Sequence, residues 1–351
     1  MNDAPRFTVV IAGYQTEPYL PRSLGSVKDQ SFADFEAICY VEESTDDSLA
    51  LCRRFAEGDP RFRVASGARS GAVATTRNYG IDHARGEYLV VLDGDDWIVP
   101  DMLGKLDAAL REAGDPELLS FAAVTTESDG VDLRGAPRLS NFGAAESGEV
   151  FSGQEAIRRL GRRGGSICNY TWLSVYRLDF LRGHRLYQSD GLMMEDFEHT
   201  PRVWFFAERM SYLDEVLYVY RRRPGSLTTQ SSPRLVLDLA HQVLSLENFA
   251  ESNPVPEEIM RIWSNQWLTI LYWFMFHPVS SRKVPDPDRR RALEFLFADG
   301  GAARFRKLAA RASLPKRLAE PLVEWAAKGW QFPAKLYFRG LYYPLSSRGG
   351  R

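Results

Sequence analysis

Short apolar runs that alternate with helical stretches predict an α/β chain built on a mostly parallel sheet flanked by helices, followed by a helical appendage. Three observations carry that expectation. Strand-like and helix-like segments alternate four times in the first hundred residues, joined by short loops. Polar clusters at Gly13-Tyr14, Glu42 to Asp46 and Asp93 to Asp96 each follow a strand-like run, where ligands of such sheets gather. From about Ser232 the texture changes to apolar residues at helical spacing. The expected division is therefore 1–231 and 232–351.

The elements come in order along the chain. Phe7 to Ile11 is short and rich in β-branched residues and stops at Gly13, the pattern of a buried strand. Leu20 to Gln30 reads as a helix with Leu20, Leu24 and Val27 on one face. Glu36 to Val41 is a second strand, Ser48 to Glu57 a second helix, Phe62 to Ala65 a third strand and Ala72 to Ala84 a third helix. Tyr88 to Leu92 is a fourth strand that runs straight into Asp93-Gly94-Asp95-Asp96. Beyond it, Leu118 to Val124 and Tyr212 to Tyr220 read as strands, and Arg158 to Gly165 as a basic, Gly-rich loop. Trp172 to Leu181 is apolar and basic. Leu235, Leu239, Val243 and Leu246, then Trp263, Trp267, Leu271 and Phe274, mark helices of the appendage.

Composition narrows the class. The chain has 351 residues, 44% hydrophobic and 26% charged, the mix of a globular protein and not of a disordered or fibrous one. Lys+Arg 44 against Asp+Glu 46 gives a net charge of −2, which argues against nucleic acid as a partner. Residues 301–351 nevertheless hold 11 basic and 2 acidic side chains, a local +9, so the first 300 carry −11. Cys39, Cys52 and Cys168 fall in no disulfide or zinc spacing. The N-terminus lacks the apolar core of a signal peptide. Ile259 to Phe276, the most apolar stretch, is interrupted by Arg261, Ser264, Asn265 and Gln266 and is too polar for a membrane span. A cytoplasmic location is the expectation.

The acidic turn is the strongest chemical signal. Three carboxylates within four residues at the end of a buried strand offer hard oxygen ligands suited to Mg²⁺ or Mn²⁺. The glycine permits a sharp turn and close approach to a ligand. A solvated Asp/Gly turn is the bland alternative.

With these segments in place, the chain resembles the family 2 glycosyltransferases of the GT-A fold. The likeness runs through Val9-Val10-Ile11-Ala12-Gly13-Tyr14, Leu24-Gly25-Ser26-Val27, Thr76-Arg77-Asn78-Tyr79-Gly80 and Ala84-Arg85-Gly86-Glu87-Tyr88 to Leu92-Asp93-Gly94-Asp95-Asp96. Two later pieces also fit, Met194-Glu195-Asp196 and Tyr220 to Thr228, so it spans roughly residues 7 to 230. The resemblance implies inverting transfer of a sugar from a nucleotide-diphospho-sugar to an acceptor hydroxyl. It implies Asp93 at the ribose, Asp95 on a Mn²⁺ or Mg²⁺ ion that bridges the diphosphate, and Arg77 against the base or phosphates. Ala12, Tyr14, Glu42 and Gly94 complete the implied donor site, and Arg221, Arg223 and Ser226 match a loop that closes on the diphosphate. Asp196 is the implied general base, with Glu195 the less favoured alternative; complementing a helix dipole is the bland reading of both. His199 is expected in the core or behind the site.

Two departures stand out. Val41-Glu42-Glu43-Ser44-Thr45-Asp46 replaces the usual Val-Asp-Asp-Gly-Ser, and Ala12 the usual proline. UDP is the expected nucleotide, with dTDP or GDP as alternatives. The last fifty residues interleave basic residues with Trp325, Trp330, Phe332, Tyr337, Phe338, Tyr342 and Tyr343. They suit either peripheral contact with the inner membrane face, implying a lipid-linked glycan acceptor, or a helical cap with solvated arginines. A non-catalytic nucleotide-sugar-binding scaffold is the rival from another class; a nucleotidyltransferase is a weaker reading, because no Gly-rich, Lys-bearing phosphate loop follows the first strand.

Overall fold

The computed structural model describes residues 4–164, 167–223 and 233–276, with scattered positions between 291 and 312. The basic, aromatic tail and residues 224–232, Ser226 among them, lie outside the described residues. The chain divides into two compact units, Met1–Arg223 and Pro224–Arg351.

The first unit opens with the alternation read from the sequence: β1 (Phe7–Gly13), α1 (Leu20–Lys28), β2 (Phe35–Glu42), α2 (Ser48–Gly58), β3 (Phe62–Gly67), α3 (Ala74–His83) and β4 (Tyr88–Asp93). Next come β5 (Trp97–Ile98), α4 (Met102–Glu112), β6 (Leu118–Thr126), β7 (Arg138–Leu139), β8 (Val150–Phe151) and α5 (Gly153–Arg162). The unit closes with β9 (Ser174–Arg177), α6 (Leu178–Gly183), α7 (Asp196–Phe206) and β10 (Met210–Arg221). The main path of the sheet runs β3-β2-β1-β4-β9-β6-β10-β5. Strand β1 lies between β2 and β4, parallel to both, and is buried over Phe7 to Ile11 because it is covered on both faces. Each fully covered Val or Ile there contributes roughly 1.5–3 kcal/mol of transfer free energy.

The chain moves outward from β1 to β2 and β3, then returns to lay β4 on the other side. That reversal opens a crevice at the carboxyl ends of β1 and β4. The register aligns Ala12 with Asp93 and with Tyr40, so the ends of β1, β2 and β4 reach the same level. The sheet is less uniformly parallel than the alternation suggests. Strand β9 is inserted antiparallel between β4 and β6, a placement that four residues of sequence do not announce.

One local expectation is corrected. Arg158 to Arg162 belongs to α5, not to a loop. Ser152 caps that helix by accepting a hydrogen bond from the Glu155 amide, and Ala156, Ile157 and Leu160 bury its inner face. Arg159 and Arg162 on this helix pair with Glu149 and Glu155. The glycines mislead: Gly164, at φ +67, comes only after the helix has ended.

In the second unit, α8 (Pro233–Ser252) and α9 (Glu257–Phe276) bear out the helical spacing. Leu235, Leu239, Val243, Leu246, Trp263 and Trp267 are buried. Among the described residues no helix is long and apolar enough to cross a membrane.

Candidate functional site

The crevice is framed by three loops that succeed strands. After β1, the backbone amides of Gln15, Thr16 and Glu17 donate to Ser44 Oγ (3.0 Å), Ser48 Oγ (3.1 Å) and Asp46 Oδ2 (3.0 Å). The altered Glu42-to-Asp46 segment thus still fastens the β1 loop to the β2 loop. Glu42 is buried at the end of β2, where its carboxylate accepts from Ser70 Oγ. Tyr14 stands at the mouth with the Arg69 guanidinium 4.6 Å from its ring centroid.

The acidic turn is held from below. Gly94 N donates to Ala12 O at 2.8 Å, and a Cβ on Gly94 would lie 2.5 Å from that same oxygen. Only glycine allows the turn to press so closely on β1. The three carboxylates of the turn then separate by role. Asp96 is 1% exposed and accepts from Tyr218 Oη (2.6 Å) and the Arg221 amide (2.7 Å). Burial, reinforced by Asp95 and Asp93, pushes its carboxyl well above the ordinary range. It is an anchor between the turn and β10. Asp93 accepts from Arg77 Nη2 at 3.2 Å. Asp95, like Asp93, is only partly buried: one of its oxygens accepts from Arg223 Nε at 2.6 Å.

Arg77 is the electrostatic centre. The helix α3 carries it inward beside Ala74, Gly80 and Ile81, leaving it 5% exposed. A guanidinium so placed must be paired. Its Nη1 donates to Glu195 Oε1 at 2.5 Å, from a position 118 residues away in sequence, and Nη2 reaches Asp93. Burial opposes its charge, but Asp93, Glu195 and Asp196 together hold its pKa above the ordinary value.

Glu195 and Asp196 open α7, where carboxylates suit the unsatisfied amides of a first turn. Met194 before them sits at φ 62, a left-handed conformation that costs a non-glycine residue about 1 kcal/mol. Backbone strain of this kind is typical of functional sites. The two acids differ in partner. Glu195 is neutralised by Arg77, while Asp196 has no ion pair among the described residues. Desolvation, helped by the charge of Glu195, pushes the Asp196 carboxyl up to about 7. His199, one turn further, donates from Nε2 to Leu186 O and is pushed down to about 3 by burial, so it is a neutral core residue.

The arginines expected on a closing loop take different places. Arg221 is 8% exposed; its Nε donates to Asp95 O and its Nη2 to Asp129, with Tyr19 and Trp97 under the guanidinium. It stiffens the wall beneath the turn. Arg223 reaches Asp95 from the rim and lies 5.0 Å from the Tyr19 ring. Sequence reasoning read Asp96 only as one of the turn's three possible ligands, and missed Tyr218 and the Arg77–Glu195 pair. Tyr218 could have been found from its two-residue spacing to Tyr220 on the strand face that meets the turn.

Among the described residues no three acidic, His or Cys side chains gather as a preformed metal cage. The part-exposed carboxylates of the turn are Asp93 and Asp95, at side-chain exposures of 25% and 18%, the first paired with Arg77 and the second with Arg223. Such carboxylates suit a hard divalent ion that takes its remaining ligands from water and phosphate oxygens.

Known proteins resemble this chain in sequence and in fold. Residues 8–150 match the family described as glycosyl transferase family 2. The chain is 28% identical over 236 residues to the putative glycosyltransferase EpsH of Bacillus subtilis, covering 66% of this chain and 65% of that protein. It is 29% identical over 228 residues to the uncharacterized glycosyltransferase EpsJ of the same organism, covering 64% and 63%. The matches thus span slightly under two thirds of those relatives' length. The fold is similar to S. aureus TarS 1-349 in complex with UDP-GlcNAc, at a TM-score of 0.68 and 20% identity, covering 92% of this chain and 88% of that one.

Proposed function

We propose that the chain, whose residues 8–150 match glycosyl transferase family 2 and whose fold is similar to that of TarS, transfers a sugar, with inversion, from a nucleotide-diphospho-sugar to an acceptor hydroxyl. The observation that carries the proposal is the division of labour around Arg77. One guanidinium neutralises Asp93 and Glu195, while Asp196 beside them has no ion pair among the described residues and its carboxyl is pushed up to about 7. A carboxylate poised there is suited to remove the acceptor proton as the new bond forms.

The rest of the crevice fits the donor. Glu42 and Tyr14 frame the nucleoside end at the carboxyl end of β2 and β1. Asp93 faces the ribose while Arg77 holds it in place. Asp95 is the residue that would hold Mn²⁺ or Mg²⁺, and such an ion would supply positive charge to the departing diphosphate. Arg223, now on Asp95, is within reach of the same charge. Gly94 and Ala12 keep the turn pressed on β1, and Arg221 and Asp96 fix its height. UDP is the favoured nucleotide; TarS and a mannosyltransferase of similar fold have been solved with UDP-GlcNAc and with GDP-Man and Mn²⁺ respectively. A glycan, lipid-linked or small-molecule acceptor, and a cytoplasmic site of action with peripheral contact at the membrane face, complete the proposal.

The test is donor turnover. Purified protein is incubated with a panel of UDP-, dTDP- and GDP-sugars with Mn²⁺ or Mg²⁺, and nucleoside diphosphate release is measured beside Asp95→Asn and Asp196→Asn. The expected result is slow, metal-dependent release from one donor, lost in Asp95→Asn and reduced about 10²–10⁴-fold in Asp196→Asn. Failure to bind any donor, with or without metal, would leave only the scaffold reading.

A further inference from the structure

Between the acidic turn and Asp196 lies a stack of aromatic rings that the donor site does not use. Trp172 is parallel to Tyr218, with centroids 4.4 Å apart and planes at 11°, to Tyr170 at 4.7 Å and 13°, and to Tyr220 at 5.5 Å and 20°. Tyr170 and Tyr220 in turn meet at 6.1 Å. The inner members, Trp172 and Tyr218, are buried, and Tyr218 is the residue whose hydroxyl holds Asp96. The outer members, Tyr170 and Tyr220, are only half-buried. The stack therefore starts under the donor turn and ends at the surface of the crevice.

Its outer end lies beside the base. Thr200 Oγ1, one turn along α7 from Asp196, donates to Asn169 O at 2.5 Å and so fixes the segment carrying Tyr170 against the helix start. Tyr170 is within electrostatic reach of Asp196 and of Arg222. Its hydroxyl has no hydrogen-bond partner among the described residues. A core role would bury this ring and pair its hydroxyl. Here the ring is stacked on Trp172 but only part-buried, and its hydroxyl is not among the buried unpaired atoms of the described residues.

We propose that Tyr170, backed by Trp172 and flanked by Tyr220, is the platform on which the acceptor sugar stacks, and that the acceptor is a pyranose-ended glycan and not an acyclic polyol. The electron-rich face of an aromatic ring attracts the C–H-lined face of a pyranose, which a flexible polyol cannot present as one plane. A rigid, prestacked ring costs little ordering entropy on binding. Stacking there brings the sugar's hydroxyls toward Asp196, which lies within electrostatic reach of Tyr170. This inference rests on the transferase reading above, because it takes Asp196 as the acceptor-side base.

The experiment separates the two. Methyl β-D-glucopyranoside, methyl β-D-galactopyranoside and methyl N-acetyl-β-D-glucosaminide are the pyranose probes; glycerol and ribitol are the polyol probes. Binding is read by saturation-transfer NMR on the full chain, with donor binding followed in parallel. At least one pyranoside is expected to bind through its C–H face, with glycerol and ribitol silent. Tyr170→Ala should weaken that binding about tenfold, Tyr170→Phe should retain it, and neither should change donor affinity. No pyranoside binding, equal binding of polyols, or a Tyr170→Ala effect on donor affinity instead would overturn the platform. Donor turnover without pyranoside binding would sink the platform and spare the transferase. Tyr170-dependent pyranoside binding without any donor binding would do the reverse.

Discussion

Replacing Arg77 with methionine keeps most of the side chain's volume and removes the charge that two carboxylates share. Glu195 is 7% exposed on its side chain and loses a 2.5 Å partner; Asp93 loses one at 3.2 Å. Breaking a buried pair from one side costs about 3–5 kcal/mol, because the remaining charge is stranded. The loss depends on pH in a defined direction. Desolvation already raises the pKa of Asp93 and Glu195 in the folded protein, and Arg77 is what opposes the rise. Without it both rise further, so the folded variant takes up protons more readily than its unfolded chain. The deficit is therefore greatest at about pH 8 and shrinks as the pH falls through the raised values, a tenfold change in proton affinity being worth about 1.4 kcal/mol. Urea unfolding of wild type and Arg77→Met, followed by circular dichroism at about pH 8 and pH 5.5, measures it. Adding Glu195→Gln to Arg77→Met should recover part of the loss, since removing both partners is milder than removing one. A deficit below about 1 kcal/mol at both pH values, the size of an exposed pair, would refute the placement of Arg77 as the buried hub.

Two further outcomes are expected of the site. Asp196 works as a base only when ionised, so turnover should rise with pH through about 7 and level off above it; a rate unchanged from weakly acidic to weakly alkaline pH would point to another base. Gly94→Ala places a methyl group 2.5 Å from the Ala12 carbonyl and must lift the turn off β1. It should cost about 1–3 kcal/mol of stability and weaken nucleotide binding in a thermal-shift titration; wild-type affinity would show that the turn does not need its close seat.

Much of the fold was legible because the signals are local. Each of the first four strands and three helices announces itself within about ten residues, by β-branched runs or by apolar residues on one helical face. The acidic turn was legible for the same reason, as Asp93, Gly94, Asp95 and Asp96 are contiguous and come directly after a buried strand. Strand β9 was not, since Ser174–Arg177 is too short for a period to show and its antiparallel insertion is decided by partners on β4 and β6. The helix α5 was misread because Gly161 and Gly164 outweighed the Ser152 cap and the spacing of Ala156, Ile157 and Leu160.

By itself the sequence determined the α/β alternation, the crevice at the strand ends and the residue types available there. It could not decide which of three adjacent aspartates is an anchor and which is open, because that depends on Tyr218 and Arg221 from β10, more than 100 positions away. Nor could it choose between Glu195 and Asp196. They are neighbours in a first helical turn, alike in chemistry, and only the reach of one guanidinium from α3 neutralises the first and leaves the second to be raised by its surroundings. Protonation at this site is set by desolvation and Coulomb interactions that depend on distance in space, and distance in space is what the folded chain alone supplies.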